Sequence, residues 1–218
     1  MEKLNFYTVD LKYVQYLKDA ETKARGFTRV PNMVYGSSRK PKFLLGVVLN
    51  ISGVDYYVPV TSYKTKMPDN FLIQADNGIV TSSLRFNYMF PIPKDMVSER
   101  VISSEPDAAY RALLSQELRY CIKHQAEIQK LAERTYKRVL LGKDPGLVAN
   151  SCAFAFLEDK CKAWVKEHTP EKEQLTDAEK TARPELTSVL ARLHSLAAAG
   201  DKSPATKAKP ADRQHDKK

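Results

Sequence analysis

Carboxylates are missing from a long stretch near the start of this 218-residue chain. No Asp or Glu occurs between Thr22 and Val54, and extending the stretch to Pro68 adds a single acid, Asp55. A nuclease that works through bound metal ions needs clustered carboxylates. This half of the chain is therefore not expected to build such a site.

Cysteines and long apolar runs are also scarce. The three cysteines form neither an even disulfide framework nor a C-x-x-C motif, which favours a reducing compartment. No apolar run approaches the ~20 residues of a membrane-spanning helix, and the N-terminus lacks the apolar core of a secretory signal. We therefore expect a cytoplasmic protein.

Several catalytic motifs are absent. The chain has no Gly-rich phosphate loop and no G-x-S-x-G motif. Before residue 169 its only histidines are His124 and His168, both in predicted helices, which disfavours a two-histidine ribonuclease. What remains is chemistry by Lys, Tyr, Ser and Thr, with no metal and no cofactor expected. RNA suits this set because its 2′-hydroxyl is a built-in nucleophile, so the protein need only align groups and stabilise charge.

Basic and aromatic residues fill the stretch that lacks acids. The formal net charge of the chain is +9. Aromatic side chains are interleaved with the basic ones at Phe27, Tyr35, Tyr56, Tyr57 and Tyr63. Cations attract phosphates and aromatic faces stack on unpaired bases. A solvated basic surface is the alternative, but it does not explain the missing carboxylates. We predict a nucleic-acid-binding face over residues 22–68.

The most informative segment is YYVPVTSYKTK, residues 56–66. It begins as a strand, and Pro59 predicts that this strand lies at a sheet edge or is about to leave the sheet. The polar groups that follow are Thr61, Ser62, Lys64 and Lys66. Hydroxyl and ammonium groups this close together suit the binding of a phosphate. The alternative is a strand end followed by a solvated turn.

The hydrophobic periodicity predicts an α+β fold, with a small, strongly bent antiparallel β-barrel and added helices. Predicted strands lie at residues 5–9, 42–51, 54–61, 71–74 and 84–89, with an edge strand at 95–102. Four helices are predicted. The first spans residues 11–20, with Leu11, Val14 and Leu17 facing the core. The second is capped by Ser104 or Asp107 and turns Tyr110, Leu114, Leu118 and Ile122 to the core; the third ends at Gly142, and the fourth spans 152–168. Residues 21–41 and the segment around Pro145 and Gly146 are predicted loops.

The composition changes after residue 168. The last fifty residues contain no aromatic residue, and their basic and acidic residues nearly balance. We predict a domain over residues 1–168 and a charged C-terminal extension over 169–218, with a helix at 185–199 followed by a disordered polar tail.

The motifs FYTVDLKYVQYL, PKFLLGVVL, VPVTSYK and FAFLEDK, spread over residues 5–166, resemble the endoribonuclease toxins of type III toxin–antitoxin systems, the ToxN/AbiQ family. The resemblance implies a barrel like that of MazF, Kid and CcdB with added helices. It also implies RNA cleavage without metal, and a repeat RNA that is both substrate and inhibitor.

The resemblance also implies roles for individual residues. The family's Thr-Ser-x-Lys segment falls on Thr61, Ser62 and Lys64, and its tyrosine falls on Tyr35; these four are the candidate catalytic residues. The family's Pro-Lys falls on Pro41 and Lys42, and its helix tyrosine falls on Tyr13, a structural support. The candidate RNA-binding residues are Lys42, Arg39, Lys40, Lys66, Tyr63 and Arg29.

The expected partners are RNA molecules: a repeat RNA antitoxin and cellular or phage RNA substrates. Protein and antitoxin are expected to form a closed hetero-oligomer without a membrane. Two alternatives stay open, namely a toxin of the same barrel fold that binds a topoisomerase without catalysis, and a non-catalytic RNA-binding module. Incubation with labelled RNA separates these classes.

Overall fold

The computed structural model describes residues 3–36 and 40–168. The strands are β1 (Asn5–Val9), β2 (Val34–Tyr35), β3 (Lys40–Pro41), β4 (Leu44–Ile51), β5 (Val54–Thr61), β6 (Asn70–Gln74), β7 (Val80–Arg85), β8 (Phe90–Pro91) and β9 (Val97–Glu99). The helices are α1 (Leu11–Arg25), α2 (Ala108–Lys123), α3 (Gln125–Leu141), α4 (Pro145–Ala149) and α5 (Phe154–His168).

One antiparallel sheet organises these elements. Its strand order is β6-β7-β5-β4-β1-β9, with β8 also paired to β5, while β2 and β3 form a separate ribbon. The predicted combination of antiparallel strands with added helices is confirmed. Within the described residues the sheet keeps two edges, β6 and β9, and is not closed. The closed barrel therefore remains a prediction.

Strand β5 lies in the interior of the sheet, so the edge position predicted from Pro59 is wrong. On one side β5 pairs with β4; on the other it pairs with β8 at Tyr56 and Tyr57 and with β7 at Val60 and Thr61. The Val60 N–H donates to Phe43 O, so the missing N–H of Pro59 faces the opposite side. There the partner of β5 changes from β8 to β7. The proline thus occupies the gap between two partner strands, where a ladder donor is not needed.

The predicted start of the chain is largely confirmed. Strand β1 has the predicted bounds, and Asp10 caps α1 by accepting hydrogen bonds from the N–H groups of Lys12 and Tyr13. Helix α1 is longer than predicted and ends at Gly26, whose φ of 79° suits glycine. It therefore occupies the first part of the segment that was predicted to be a loop. Leu11 is exposed and not part of the buried stripe, because it stands in the first turn beyond the reach of the core.

Three further predictions need correction or refinement. The strand predicted at 84–89 begins earlier, as β7, and passes into a 3₁₀ turn at Phe86–Tyr88. The segment predicted as a loop around Pro145 forms the short helix α4, with Asp144 as its N-cap. The predicted stripe of α2 needs only a refinement, because Leu114 is buried and Tyr110, Leu118 and Ile122 pack against the core while partly exposed. The other fully buried positions of the helix are Glu117 and Cys121, and a buried carboxylate is not visible to a hydrophobicity pattern.

Two buried carboxylates tie the helices to the rest of the fold. Glu21 accepts hydrogen bonds from Arg25, from the Thr28 hydroxyl and from the N–H of Ala153, which precedes α5. Glu158 of α5 accepts from the hydroxyls of Tyr56 and Tyr136 at 2.6 and 2.7 Å. Burial works against ionisation of Glu21, but these donors outweigh it and lower its pKa. Because both carboxylates have several donors, their burial is compatible with a stable core.

Some predictions fall on residues that the structure does not describe. The C-terminal extension, with its predicted helix at 185–199, lies outside the described residues. Within residues 3–36 and 40–168, no helix has the length and apolar character needed to cross a bilayer.

Candidate active site

The candidate site is built on the loop that follows β5, residues 61–66, which we term the hydroxyl–lysine loop. Its start is closed by a ring of hydrogen bonds. The Tyr63 N–H donates to Thr61 Oγ1 (3.4 Å), the Thr61 and Ser83 hydroxyl oxygens lie 3.3 Å apart, and Ser83 Oγ donates to Tyr63 O (2.5 Å). Since the Ser83 proton is used on Tyr63 O, Thr61 is the donor to Ser83. The Thr61 proton is therefore committed to shaping the loop.

Asn70 at the start of β6 holds the other end of the loop. Its side chain is fully buried, accepts from the Met67 N–H (2.9 Å) and donates to Thr65 O (2.8 Å). The Lys66 ammonium donates to the backbone oxygen of Asn70 at 3.3 Å. Lys66 thus supports the loop through this contact, in addition to its predicted role in RNA binding.

Between these two anchors the side chains face solvent. Ser62, Tyr63 and Lys64 are all exposed. Within the described part of the chain, no carboxylate lies within ion-pair distance of Lys64. Ser62, Tyr63 and Lys64 therefore offer a hydroxyl, an aromatic ring and an ammonium to a ligand.

Tyr35 and Lys42 form a pair near the end of β5. The Val60 N–H donates to Phe43 O (3.3 Å), and Lys42 is the residue before Phe43 in the chain. The Lys42 ammonium lies 5.4 Å from the centroid of the Tyr35 ring, and the ring is 44% exposed. Tyr35 of β2 and Lys42 thus place a phenol and a second ammonium together near the end of β5.

Tyr110 of α2 lies near Tyr35, which the sequence did not predict. Burial raises the pKa of Tyr110, and the nearby Tyr35 raises it further, whereas Arg100 lowers it. The Arg100 guanidinium lies 5.3 Å from the Phe43 ring and 6.0 Å from the Tyr110 ring. Tyr110 appeared in the sequence only as one of several apolar positions of a helix, so nothing marked it as a neighbour of Tyr35.

Arg85 of β7 is another neighbour that sequence reasoning missed. Its guanidinium lies 5.2 Å from the centroid of the Tyr63 ring and 5.0 Å from that of Tyr88. Ser83 and Arg85 lie two residues apart on β7 and so face the same side of the strand. The sequence signal that could have identified Ser83 and Arg85 is the presence of polar residues in a strand that is otherwise buried. Polar residues are uncommon in buried positions unless a partner in the fold binds them.

Tyr13 lies away from the loop, in the core. Its hydroxyl donates to Pro91 O (2.9 Å), and its ring packs against Trp164 at 5.3 Å between centroids. Burial raises the pKa of Tyr13 far above its usual value. Pro91 pairs with Tyr56, five residues before Thr61, which is roughly 17 Å along a strand. In this arrangement any effect of Tyr13 on the loop passes through the core.

The remaining predicted RNA-binding residues differ in what the structure says of them. Arg29 donates to Ala149 O through Nε (2.9 Å) and lies over the Phe27 ring, so it also holds the end of α4. The backbone of Lys40 pairs with Tyr35 in the β2–β3 ribbon. Arg39 lies outside the described residues. These three stay predictions as RNA ligands.

The donor set of the site is made of hydroxyls, phenols and ammonium groups. Across the described residues, no three His, Cys, Asp or Glu side chains come together as metal ligands would. Such a set can hydrogen-bond a phosphate, offset the charge of its oxygens and stack on a base. The arrangement suits the binding of a phosphodiester.

The model of one protein family matches most of this chain. Its description is toxin ToxN of type III toxin–antitoxin systems, and it matches residues 5–162. The chain is 29% identical over 174 residues to endoribonuclease ToxN of Pectobacterium atrosepticum, covering 75% of this chain and 95% of that protein. It is 28% identical over 182 residues to endoribonuclease ToxN of Bacillus thuringiensis subsp. kurstaki, covering 78% and 88%.

Solved structures show the same fold. One comes from work on a processed non-coding RNA that regulates a bacterial antiviral system; it is 28% identical with a TM-score of 0.63, covering 72% of this chain and 97% of that chain. Another comes from work on selective toxin inhibition by a non-coding RNA pseudoknot. Its TM-score is 0.65 at 24% sequence identity, and the match covers 75% of this chain and 98% of that chain. This similarity concerns the fold alone.

Proposed function

The chain belongs to the toxin ToxN family of type III toxin–antitoxin systems, and we propose that it cleaves RNA at the hydroxyl–lysine loop. Its curated relatives are named endoribonucleases, and the protein is an endoribonuclease toxin that RNA inhibits. The family match carries this conclusion, because residues 5–162 contain every candidate site residue. The geometry of the loop supports the choice of site.

The proposed reaction uses the nucleophile that RNA supplies. The 2′-oxygen attacks the adjacent phosphorus and forms a new P–O bond, while the bond to the 5′-oxygen breaks. The 2′-hydroxyl loses its proton, and the departing 5′-oxygen gains one. The products are a 2′,3′-cyclic phosphate and a 5′-hydroxyl. The main task of the protein is to align these atoms and stabilise the charge that builds on the phosphate oxygens.

We assign this stabilisation to the exposed groups of the loop. Lys64 offsets the charge of the phosphorane and protonates the departing oxygen, and Ser62 donates a hydrogen bond to the phosphate. Thr61 shapes the loop through Ser83, because its proton is already donated there. Tyr35 and Lys42 hold the RNA from the other side, and neither metal nor cofactor takes part.

The remaining features of the function are proposals of the same kind. Residues 1–168 form the nuclease and residues 169–218 are an extension outside the family match, which ends at residue 162. The antiparallel sheet is taken as an opened relative of the MazF, Kid and CcdB barrel. Because its substrate is RNA, we place the protein in the cytoplasm.

The inhibitor is proposed to be a repeat RNA that the toxin also processes. Each RNA unit would lie along the basic face of residues 22–68, with Lys and Arg on its phosphates and Tyr63 stacked on an unpaired base. A unit that bridges two protomers gives repeated head-to-tail contacts, which close into a ring when the rotation permits. Cellular or phage RNA would bind the same face when the antitoxin is absent.

The test is incubation of the purified protein with end-labelled RNA in excess chelator. We expect cleavage to continue and to leave 2′,3′-cyclic phosphate and 5′-hydroxyl ends. An RNA with a 2′-deoxy sugar at the cut site should stay intact. Activity that chelator abolishes and magnesium restores would contradict the metal-free mechanism. RNA that is bound but never cut would favour a binding module, and RNA that is neither bound nor cut would favour a protein-binding toxin.

A further inference from the structure

A cavity begins three residues after Lys64. Met67, Pro68 and Asp69, which continue the hydroxyl–lysine loop, form one wall. Arg85 and Asn87 line a second wall, and Leu147 of α4 lies on a third. The volume is about 280 Å³, near the lower limit of the ~300–1,000 Å³ typical of sites for drug-sized ligands. The cavity therefore suits a single ring system, and we term it the Asn87 cavity.

Two buried polar atoms of these lining residues have no hydrogen-bond partner in the described part of the chain. Asn87 is 1% exposed, and its Nδ2 donates to Asn150 O at 2.6 Å. This bond orients the amide and leaves Oδ1 as an acceptor without a donor. Arg85 Nε is likewise a buried donor without an acceptor. Buried polar groups are usually paired, and an unpaired one costs stability, so an unpaired acceptor and an unpaired donor on two residues that line one cavity point to a ligand that pairs with them.

The charges of the lining argue against a phosphate as that ligand. Two guanidinium groups, Arg85 and Arg138, and two carboxylates, Asp69 and Asp144, line the cavity, so its formal charges cancel. Arg138 already pairs with Asp144 at 2.8 Å. A phosphate would meet the carboxylates without a net attraction. A neutral ring with polar edges is the better match.

The apolar part of the lining fits the face of such a ring. The Tyr88 ring is held beside the Arg85 guanidinium at 5.0 Å, and Pro68 and Leu147 add apolar surface. Aromatic rings and guanidinium planes are the surfaces on which unpaired RNA bases stack. Every RNA base also carries a donor next to an acceptor on its edge, which complements Asn87 Oδ1 and Arg85 Nε.

We propose that the Asn87 cavity is a subsite for one nucleobase of the RNA, next to the nucleotide that is cut. The inference rests on the proposed function, because the hydroxyl–lysine loop fixes where the chain of the RNA passes. Arg85 links the two regions, since it contacts Tyr63 of the loop on one side and Tyr88 of the cavity on the other. A base that enters the cavity brings its sugar and phosphate to the loop, which makes the cavity a determinant of cleavage specificity.

The test combines RNA lacking single bases with a variant that fills the cavity. Cleavage rates are measured on a set of RNAs in which one nucleotide at a time around the cut is abasic. For the wild-type protein, we expect one flanking position where loss of the base slows cleavage about 10- to 100-fold, the range of one stacked base. The filling variant is Leu147→Trp. Val148→Trp, on the same helix but outside the cavity, is its matched control.

The expected result is coupling between the base and the cavity. Leu147→Trp should cut the intact RNA about as slowly as the wild type cuts the abasic one, and removal of that base should slow it no further. Val148→Trp should still cut the abasic RNA as much more slowly than the intact RNA as the wild type does. If Leu147→Trp does not fold, Tyr88→Leu provides the same comparison.

Two outcomes would overturn the inference and are distinguishable. A filling variant that keeps the full abasic penalty, or a wild type without any sensitive position, would exclude the subsite and leave the proposed function intact. A wild type that cuts no RNA at all would overturn the proposed function first, and the subsite with it.

Discussion

At Lys64 the chain exposes an ammonium group on a loop that is fixed at both ends. Lys64→Ala should lower the cleavage rate by a factor of about 10²–10³, because losing ~3–4 kcal/mol of transition-state stabilisation has that effect. RNA affinity should fall much less. Single-turnover cleavage and equilibrium binding, measured on the same RNA, separate the two effects.

The matched control for this change is Lys12→Ala, which removes an exposed ammonium from α1. It lowers the net charge equally, so any general loss of electrostatic attraction should appear in both variants. Wild-type cleavage by Lys64→Ala would remove Lys64 from the mechanism. An equal loss in both variants would reduce its role to charge alone.

The Thr61 hydroxyl is predicted to act on the shape of the loop. Thr61→Val keeps the size of the side chain but breaks the hydrogen-bond ring with Ser83 and Tyr63, and should slow turnover about 10-fold, the value of roughly one hydrogen bond. Thr61→Ser keeps the hydroxyl and should restore most of the rate. Steady-state kinetics on one RNA provide the measurement, and Thr61→Val kinetics equal to wild type would show that the ring does not matter.

Single residues of the site were predictable to different degrees. Ser62, Lys64, Tyr35 and Lys42 were predicted from motifs. The structure places Ser62 and Lys64 on one exposed loop and the Lys42 ammonium beside the Tyr35 ring, and the roles of all four stay predictions. Partners such as Ser83, Arg85 and Tyr110 were not predicted, because they lie far along the chain and come near the site only through strand pairing and helix packing. Asn70 is close in sequence, but its side-chain hydrogen bonds to the loop follow no motif that was recognised.

At the scale of elements, Asn70 connects the loop to β6. Asn70→Ala removes two hydrogen bonds of a fully buried side chain and leaves Thr65 O and the Met67 N–H without their partner. We expect a loss of unfolding free energy of about 2 kcal/mol, together with slower cleavage. Urea unfolding measures the first effect, and cleavage assays under native conditions measure the second.

Asn77→Ala is the control for that change. Asn77 lies in an exposed turn, where its side chain accepts one hydrogen bond from the Ile79 N–H. Its loss should cost only a few tenths of a kcal/mol and leave cleavage unchanged. If both asparagine variants behave alike, the loop does not depend on its anchor at β6.

The position of a strand or helix was predictable where a local sequence signal determines where it begins or ends. The β4–β5 hairpin, the Asp10 cap and the end of α3 at Gly142 each follow from turn or capping chemistry, and all three are confirmed. The predictions were wrong or incomplete where contacts with an element distant in sequence determine the structure. Pro59 lies in an interior strand because β8 and β7 pair in turn with the same side of β5. The burial of Glu117 in α2 was missed because it depends on a hydrogen bond from Ser82 of β7.

For the whole molecule, the prediction concerns the extension after residue 168. A chain truncated there keeps the family match over 5–162 and every candidate site residue. It should therefore fold, with a thermal midpoint close to that of the full chain, and cut RNA at the same rate. Thermal unfolding and cleavage of a common RNA substrate measure both properties. A truncated protein that cannot be obtained folded would show that the extension belongs to the core.

The central claim is that the scissile phosphate binds at the hydroxyl–lysine loop. The most direct test is a structure of the protein bound to an RNA whose cut site carries a 2′-deoxy sugar, which prevents cleavage. We predict the phosphate within hydrogen-bond distance, about 2.7–3.2 Å, of Ser62 Oγ and Lys64 Nζ, with Tyr35 and Lys42 against the same nucleotide. A scissile phosphate bound at another surface, with this loop empty, would contradict the account.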